Sequence, residues 1–273
     1  MSGIYFLNGN PLTAVYQKSG SPSNQAYDLS GNRISFDHSF LDDAIVTSLP
    51  SISLVGVKQG GCTDGTYIYQ MCFDSTALET GKILKYRISD GSYTTKSFNV
   101  SDIPFGHGND MAFNPNNGRI YVCTMDADGS VIVLNSSDLS CIGVEYLKDA
   151  NNNPFNVRQI CFNRENNCFY ASADAVNLFV FDQQFAYQTA VVLPTHPDAT
   201  HQSMETDGEY FYRLTYNPNY IDVATVDGDY VKTINLTISG EPESIMYNWS
   251  NGEFYVGTYA ASNFFSKVKL TDG

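Results

Sequence analysis

Positive charge is scarce in this chain: 15 lysines and arginines stand against 29 aspartates and glutamates in 273 residues, a formal net charge of −14. A surface with no excess cation cannot neutralise a run of phosphates, so nucleic acid is not the expected ligand. Histidine is scarcer still, with four copies (His38, His107, His196 and His201), which leaves few imidazoles for proton transfer. No Gly-x-Ser-x-Gly elbow, His-Glu-x-x-His helix or phosphate-binding glycine loop occurs. The six cysteines include no Cys-x-x-Cys pair, which argues against structural zinc, and neither a metal nor any other cofactor is expected. No apolar run approaches the roughly 20 residues that a membrane-spanning helix needs. The first residues also lack the basic cluster and apolar core of a secretion signal. The expectation is a chain that is soluble as encoded and does not insert into a membrane.

What is present is one phrase written five times. It runs Gln59-Gly-Gly-Cys-Thr-Asp-Gly-Thr-Tyr-Ile-Tyr, then His107-Gly-Asn-Asp-Met-Ala-Phe-Asn-Pro-Asn-Asn-Gly-Arg-Ile-Tyr-Val, then Arg158-Gln-Ile-Cys-Phe-Asn-Arg-Glu-Asn-Asn-Cys-Phe-Tyr. His201-Gln-Ser-Met-Glu-Thr-Asp-Gly-Glu-Tyr-Phe-Tyr and Glu243-Ser-Ile-Met-Tyr-Asn-Trp-Ser-Asn-Gly-Glu-Phe-Tyr-Val complete the set. Anchored on Cys62, Met111, Cys161, Met204 and Ile245, the copies lie 49, 50, 43 and 41 residues apart, the length of one propeller blade. Each copy has a short apolar strand, a turn of Asp-Gly, Asn-Gly or Asn-Asn that tolerates positive φ, and an aromatic strand. In the second copy further strands follow at residues 130–135 and 141–147. Runs such as Val131-Ile-Val-Leu134 and Leu178-Phe-Val-Phe181 favour the pleated surface, and no stretch has the period of an amphipathic helix.

The fold expected is therefore all-β, a five-bladed β-propeller over residues 44–273. Its fifth copy supplies three strands, and residues 44–49 are expected to provide the fourth, closing the last blade with an N-terminal strand and removing two open edges. Residues 1–43 read as a short hairpin or attachment arm. The cysteines lie mostly inside strands, where a thiol acts as a small hydrophobe. A disulfide between Cys161 and Cys168, across one tight turn, is the alternative to free thiols there.

Polar residues gather at one place in each copy. Gln59, His107, Asn109, Asp110, Arg158, Gln159, His201, Gln202, Glu243 and Ser244 all begin a first strand, so they are expected to converge near one mouth of the central channel. There they either bind a ligand or hydrogen-bond one another to satisfy a polar channel. His107 and His201 match in repeat position and with Asp110 would suit a divalent metal, although duplication alone explains the match. Asp110, Glu205 and Glu243 offer the carboxylate pair that a glycoside hydrolase or lyase needs. A second candidate surface is the rim formed by the turns after the second strands, residues 74–81, 126–129, 173–176, 216–220 and 259–263. Tyr216, Tyr220 and Tyr259 would there present flat apolar faces for sugar rings.

The segment Gly106-His-Gly-Asn-Asp-Met-Ala-Phe-Asn-Pro-Asn-Asn-Gly-Arg-Ile-Tyr-Val122 resembles a blade found in propeller proteins of bacteriophage tails. Gln25-Ala-Tyr-Asp-Leu-Ser-Gly-Asn-Arg-Ile34 is similar to short segments at the front of phage tail and baseplate accessory proteins. The resemblance implies a non-enzymatic, virion-associated module, assembled in the host cytoplasm. Its partners would be a bacterial surface glycan or neighbouring tail proteins, and His107, Asn109 and Asp110 would be its family-typical positions. A glycan-acting enzyme and a secreted lectin-like or bacteriocin-like propeller are the competing expectations.

Overall fold

In the computed structural model the described residues are 6–7, 10–11, 26–27, 33–34, 39–52, 56–73, 80–99, 103–126, 128–174, 176–194, 200–259 and 264–271. They fall into two units, one within residues 1–39 and one within residues 40–272. The first contains two antiparallel pairs, β1 (Phe6–Leu7) with β2 (Asn10–Pro11) and β3 (Ala26–Tyr27) with β4 (Arg33–Ile34).

The larger unit is built of antiparallel four-strand meanders, with no helix among the described residues. Three are separate sheets: β6 (Val57–Thr63), β7 (Tyr67–Phe73), β8 (Thr80–Arg87) and β9 (Tyr93–Asn99); β10 (Met111–Asn114), β11 (Arg119–Cys123), β12 (Ser130–Asn135) and β13 (Cys141–Tyr146); and β14 (Gln159–Asn163), β15 (Cys168–Ser172), β16 (Asn177–Phe181) and β17 (Tyr187–Val192). An eight-stranded sheet holds the rest. β18 (Thr200–Thr206), β19 (Tyr210–Tyr216), β20 (Tyr220–Thr225) and β21 (Tyr230–Asn235) form one half. β22 (Glu241–Asn248), β23 (Glu253–Tyr259), β24 (Phe265–Thr271) and β5 (Phe40–Ser48) form the other. β5 pairs antiparallel with β24 from Ser266↔Ser48 to Thr271↔Phe40, so an N-terminal strand does complete the fifth copy. The halves join at a single parallel pair, Asn235↔Asp43.

First strands touch in the order β6, β10, β14, β18, β22 and back to β6. Five apolar clusters fill the spaces between consecutive meanders. Tyr69, Met71 and Phe73 meet Met111, Ile120 and Val122. Tyr121 and Val131 meet Phe162 and Phe169, and Tyr170 and Leu178 meet Met204 and Phe211. Tyr212 and Ile221 meet Ile245 and Phe254, and Met246 and Tyr255 meet Ile68 and Leu84. One buried tyrosine per copy anchors each space and ties itself to its own turn. The Tyr69 hydroxyl donates to Asp64 and that of Tyr212 to Asp207, each at 2.7 Å, while Tyr121 and Tyr170 accept from Asn117 and Asn166 at 3.0 and 2.6 Å. The turn residue thus does two jobs, since Asp64 also accepts the Thr66 and Tyr67 amides at 2.8 and 2.7 Å.

One alternative is excluded and one alignment needs correction. Cys161 pairs across from Tyr170 and Cys168 from Asn163, so the two do not face each other, and all six thiols are free. The third copy also aligns one residue earlier than its cysteine suggests. Ile160, not Cys161, stands at the level of Met111, because both of their amides donate to Asp110.

Candidate functional site

Register places the two candidate surfaces on one face. The start of β18 lies beside the end of β19 (Thr200↔Tyr216), and the start of β22 beside the end of β23 (Glu241↔Tyr259). The segments that enter the first strands and the turns that leave the second strands therefore share an end of the meanders.

Below that face the axis is crossed by side chains. Asn109 Nδ2 donates to the carbonyls of Arg158 (2.7 Å) and Gln202 (3.1 Å), joining three copies. One level deeper, Asp110 is fully buried. Its Oδ1 accepts the Met111 amide at 3.0 Å and the Ser203 hydroxyl at 2.7 Å; its Oδ2 accepts the Ile160 and Met204 amides, both at 3.1 Å. Ser203 Oγ in turn accepts the Ile245 amide at 3.1 Å. Burial raises the Asp110 pKa well above the carboxylate range, with the four donors pulling the other way. Both oxygens are taken up in bracing the strands. Deeper still, Glu205 accepts the Thr206 amide at 2.9 Å and the Tyr247 amide at 3.4 Å, and burial lifts its pKa to about 8.

The first copy has glycines where the others have side chains. A Cβ at Gly60 would overlap the Asp110 Cα, so β6 approaches the second copy more closely than any other residue would allow. Gln70 from β7 fills the space over Gly61 and Gly257, donating to the Gln59 carbonyl and accepting the Ser244 hydroxyl at 2.9 Å.

At the mouth, Gln202 Nε2 donates to Glu241 Oε1 at 2.7 Å. Glu243 is 5 % exposed and has no hydrogen-bond or ion-pair partner among the described residues. Burial first, and then the neighbouring Glu241, push its pKa up to about 9, so it is a protonated acid at neutral pH. His107 is exposed on the turn before β10, with its amide bonded to the Thr124 carbonyl at 2.8 Å. Arg158 is exposed at the entry to β14, whereas Gln159 is buried. His201 is half-buried on β18 beside a bulge and pairs with Thr215, whereas His107 lies on a turn outside any strand. No group of three or more His, Cys, Asp or Glu side chains suited to a metal occurs among the described residues.

On the rim, Tyr216 and Tyr259 are 36 % and 45 % exposed. Tyr220 is a correction: it is 6 % exposed on β20, with its amide bonded to Thr215 Oγ1, and offers no ring to solvent. Tyr220 pairs across from the buried Thr215 and shares its face of the sheet, whereas Tyr216, one residue on from Thr215, faces the other way.

Sequence reasoning passed over three features. Gln70 brings a polar side chain into the otherwise apolar run Tyr67-Ile-Tyr-Gln-Met-Cys-Phe73, and that interruption was the available signal. Lys58 precedes Gln59 and is 4 % exposed. At the opposite end of the axis the Arg164 guanidinium lies 5.3 Å from the Trp249 ring and 5.9 Å from that of Phe113, drawing on three copies.

These elements define an all-β, propeller-like unit with a polar, side-chain-filled axis and one tyrosine-bearing face. No protein-family model matches the chain, and no curated protein matches it. Among solved structures it is similar to the crystal structure of Myxococcus xanthus glutaminyl cyclase, with a TM-score of 0.60 and 12 % sequence identity over 84 % of this chain and 99 % of that one. At that identity the likeness speaks to the fold.

Proposed function

We propose that the unit within residues 40–272 is a five-bladed β-propeller that binds a bacterial surface glycan on its tyrosine-bearing face, as a virion-associated module that does not turn its ligand over. The blade count rests on the five first strands that neighbour one another in a ring, and on the single parallel pair at which the eight-stranded sheet divides into two meanders. One observation carries the binding reading: the exposed rings of Tyr216 and Tyr259 stand at the same end as the amides and acids of the axis mouth, because their strand ends pair with Thr200 and Glu241. Exposed rings stack on the apolar face of a sugar, while Gln202, Glu241 and Glu243 supply hydrogen-bonding groups for its hydroxyls. The braced Asp110 holds that surface rigid and takes no direct part. The phage-tail assignment rests on the resemblance of residues 106–122 and 25–34 to tail proteins.

A second reading is favoured by Glu243. A protonated acid at the mouth, without a partner among the described residues, is suited to give a proton to a leaving group or a carbonyl, and the similar Myxococcus xanthus structure is that of a glutaminyl cyclase. Incubation with purified envelope glycan separates the two readings. Saturable binding without release of fragments, lost in the Tyr216→Ala/Tyr259→Ala double variant, is expected. Undiminished binding by the folded double variant overturns the proposal, and turnover that disappears in Glu243→Gln establishes the enzyme instead.

A further inference from the structure

Lys58 lies on β6, where a bulge between Lys58 and Gly61 shifts the strand against β7. Its Nζ sits 4.9 Å from the centroid of the Phe264 ring and 5.5 Å from that of Tyr259. No hydrogen bond or ion pair reaches it among the described residues. Ring faces attract an ammonium through their quadrupoles, yet two rings replace only part of what water gives a cation. The desolvation is visible in a lowered pKa. A largely enclosed cation that has no counter-ion among the described residues is well placed to take charge from a ligand, and only 15 lysines and arginines exist in the chain.

The position ties Lys58 to the glycan face. Tyr259 is both its ring partner and the cross-strand partner of Glu241, and Glu241 holds Gln202. Lys58, Tyr259, Glu241 and Gln202 therefore form one continuous track across the mouth. Arg158, exposed at the entry to β14, adds a second cation to this end. Of the acids nearest Lys58 along this track, Glu241 is engaged by Gln202 and Glu243 is held neutral by burial, while Asp126, Asp128 and Asp174 stand on other turns of the same end.

We infer that Lys58 reads a carboxylate on the ligand, so that the glycan taken by this face carries a sugar acid of the hexuronate type. The sugar ring stacks on Tyr259 and its carboxylate reaches the ammonium beside that ring, forming a charge-assisted hydrogen bond in a partly dehydrated setting. The inference rests on the glycan reading of this face and narrows it.

The test compares an oligogalacturonate with the same oligomer methyl-esterified, by calorimetry on the full chain. The wild type is expected to bind the acid form at least tenfold more tightly than the ester. Lys58→Met, which keeps the length and apolar contacts of the side chain, should bring both to the level of the ester. Lys58→Arg should retain most of the preference. Equal binding of the two oligomers by the wild type, binding of neither, or an unchanged preference in a folded Lys58→Met variant overturns the inference. The two failures are separable: if Tyr216→Ala/Tyr259→Ala loses envelope glycan while Lys58→Met keeps it, the glycan reading stands and the role of Lys58 falls.

Discussion

Acidic side chains in this protein behave in two opposite ways, and burial decides which. Asp90, Asp138 and Asp149 lie on the surface with pKa values lowered, chiefly by hydrogen bonds from their own turns, so whatever they contribute to stability is lost only as pH falls below about 4. Glu205 and Glu243 are raised by burial to about 8 and about 9. Each holds its proton more tightly folded than unfolded. Its stabilising effect is therefore complete below the unfolded value, about 4.3, and is lost as pH climbs towards the folded one. Between pH 5 and 8 the buried acids dominate, with a slope of roughly 1.4 kcal/mol per pH unit for each. Thermal unfolding is expected to show a midpoint that falls steadily from pH 5.5 to 8. Glu243→Gln, which keeps the shape and removes the ionisation, should reduce that slope to about half, the share of Glu205, and be the more stable protein at pH 8. A variant with the wild-type slope would place Glu243 in contact with solvent.

Strands and turns were largely legible because their signals are local. Asn-Asn-Gly in the second copy and Asp-Gly in the first and fourth mark turns that the structure places between first and second strands. The aromatic positions that follow, Tyr69, Tyr121, Tyr170, Tyr212 and Tyr255, are all buried between meanders. The closing strand was legible too, from a count that left the fifth copy one strand short. What escaped was the direction of individual side chains at a strand start. Asp110 and Glu243 look alike in sequence, yet Asp110 is consumed by donors 50, 93 and 94 positions further along the chain, and no local pattern announces such partners. At the scale of an element, β5 is the strand whose loss should matter most. It covers the edge of β24, and it is also held to β21 by Lys232, which donates to the Phe40 carbonyl at 2.9 Å and pairs with Asp42 at 2.7 Å, and by Asn235, which donates to Asp43 at 3.1 Å. Removing residues 1–48 exposes the β24 edge, and an open edge recruits other chains. Size-exclusion chromatography should show oligomers or insoluble material. A monomer unfolding at the wild-type temperature would mean that β5 contributes nothing to closure.

Across the whole unit, the axis behaves as a core rather than a bore. Asn109, the Asp110–Ser203 pair and Glu205 cross it at successive levels, and at the end away from the tyrosine face Arg164 lies between Phe113 and Trp249. Among the described residues the axis therefore offers no passage from one face to the other. The Arg164 guanidinium lies against two rings, and burial lowers its pKa against the opposing charges of Glu205 and Asp64. Trp249 is the only tryptophan in the chain, so its emission reports on that end alone. Arg164→Ala uncovers one face of the indole and removes a contact worth about 0.5–2 kcal/mol. The variant should show red-shifted fluorescence and stronger quenching by acrylamide, while the glycan binding proposed for the opposite face keeps its wild-type affinity. Unchanged emission would mean that the guanidinium does not cover the indole. A parallel loss of binding would mean that the two ends of the axis are coupled through the Glu205 and Asp110 braces.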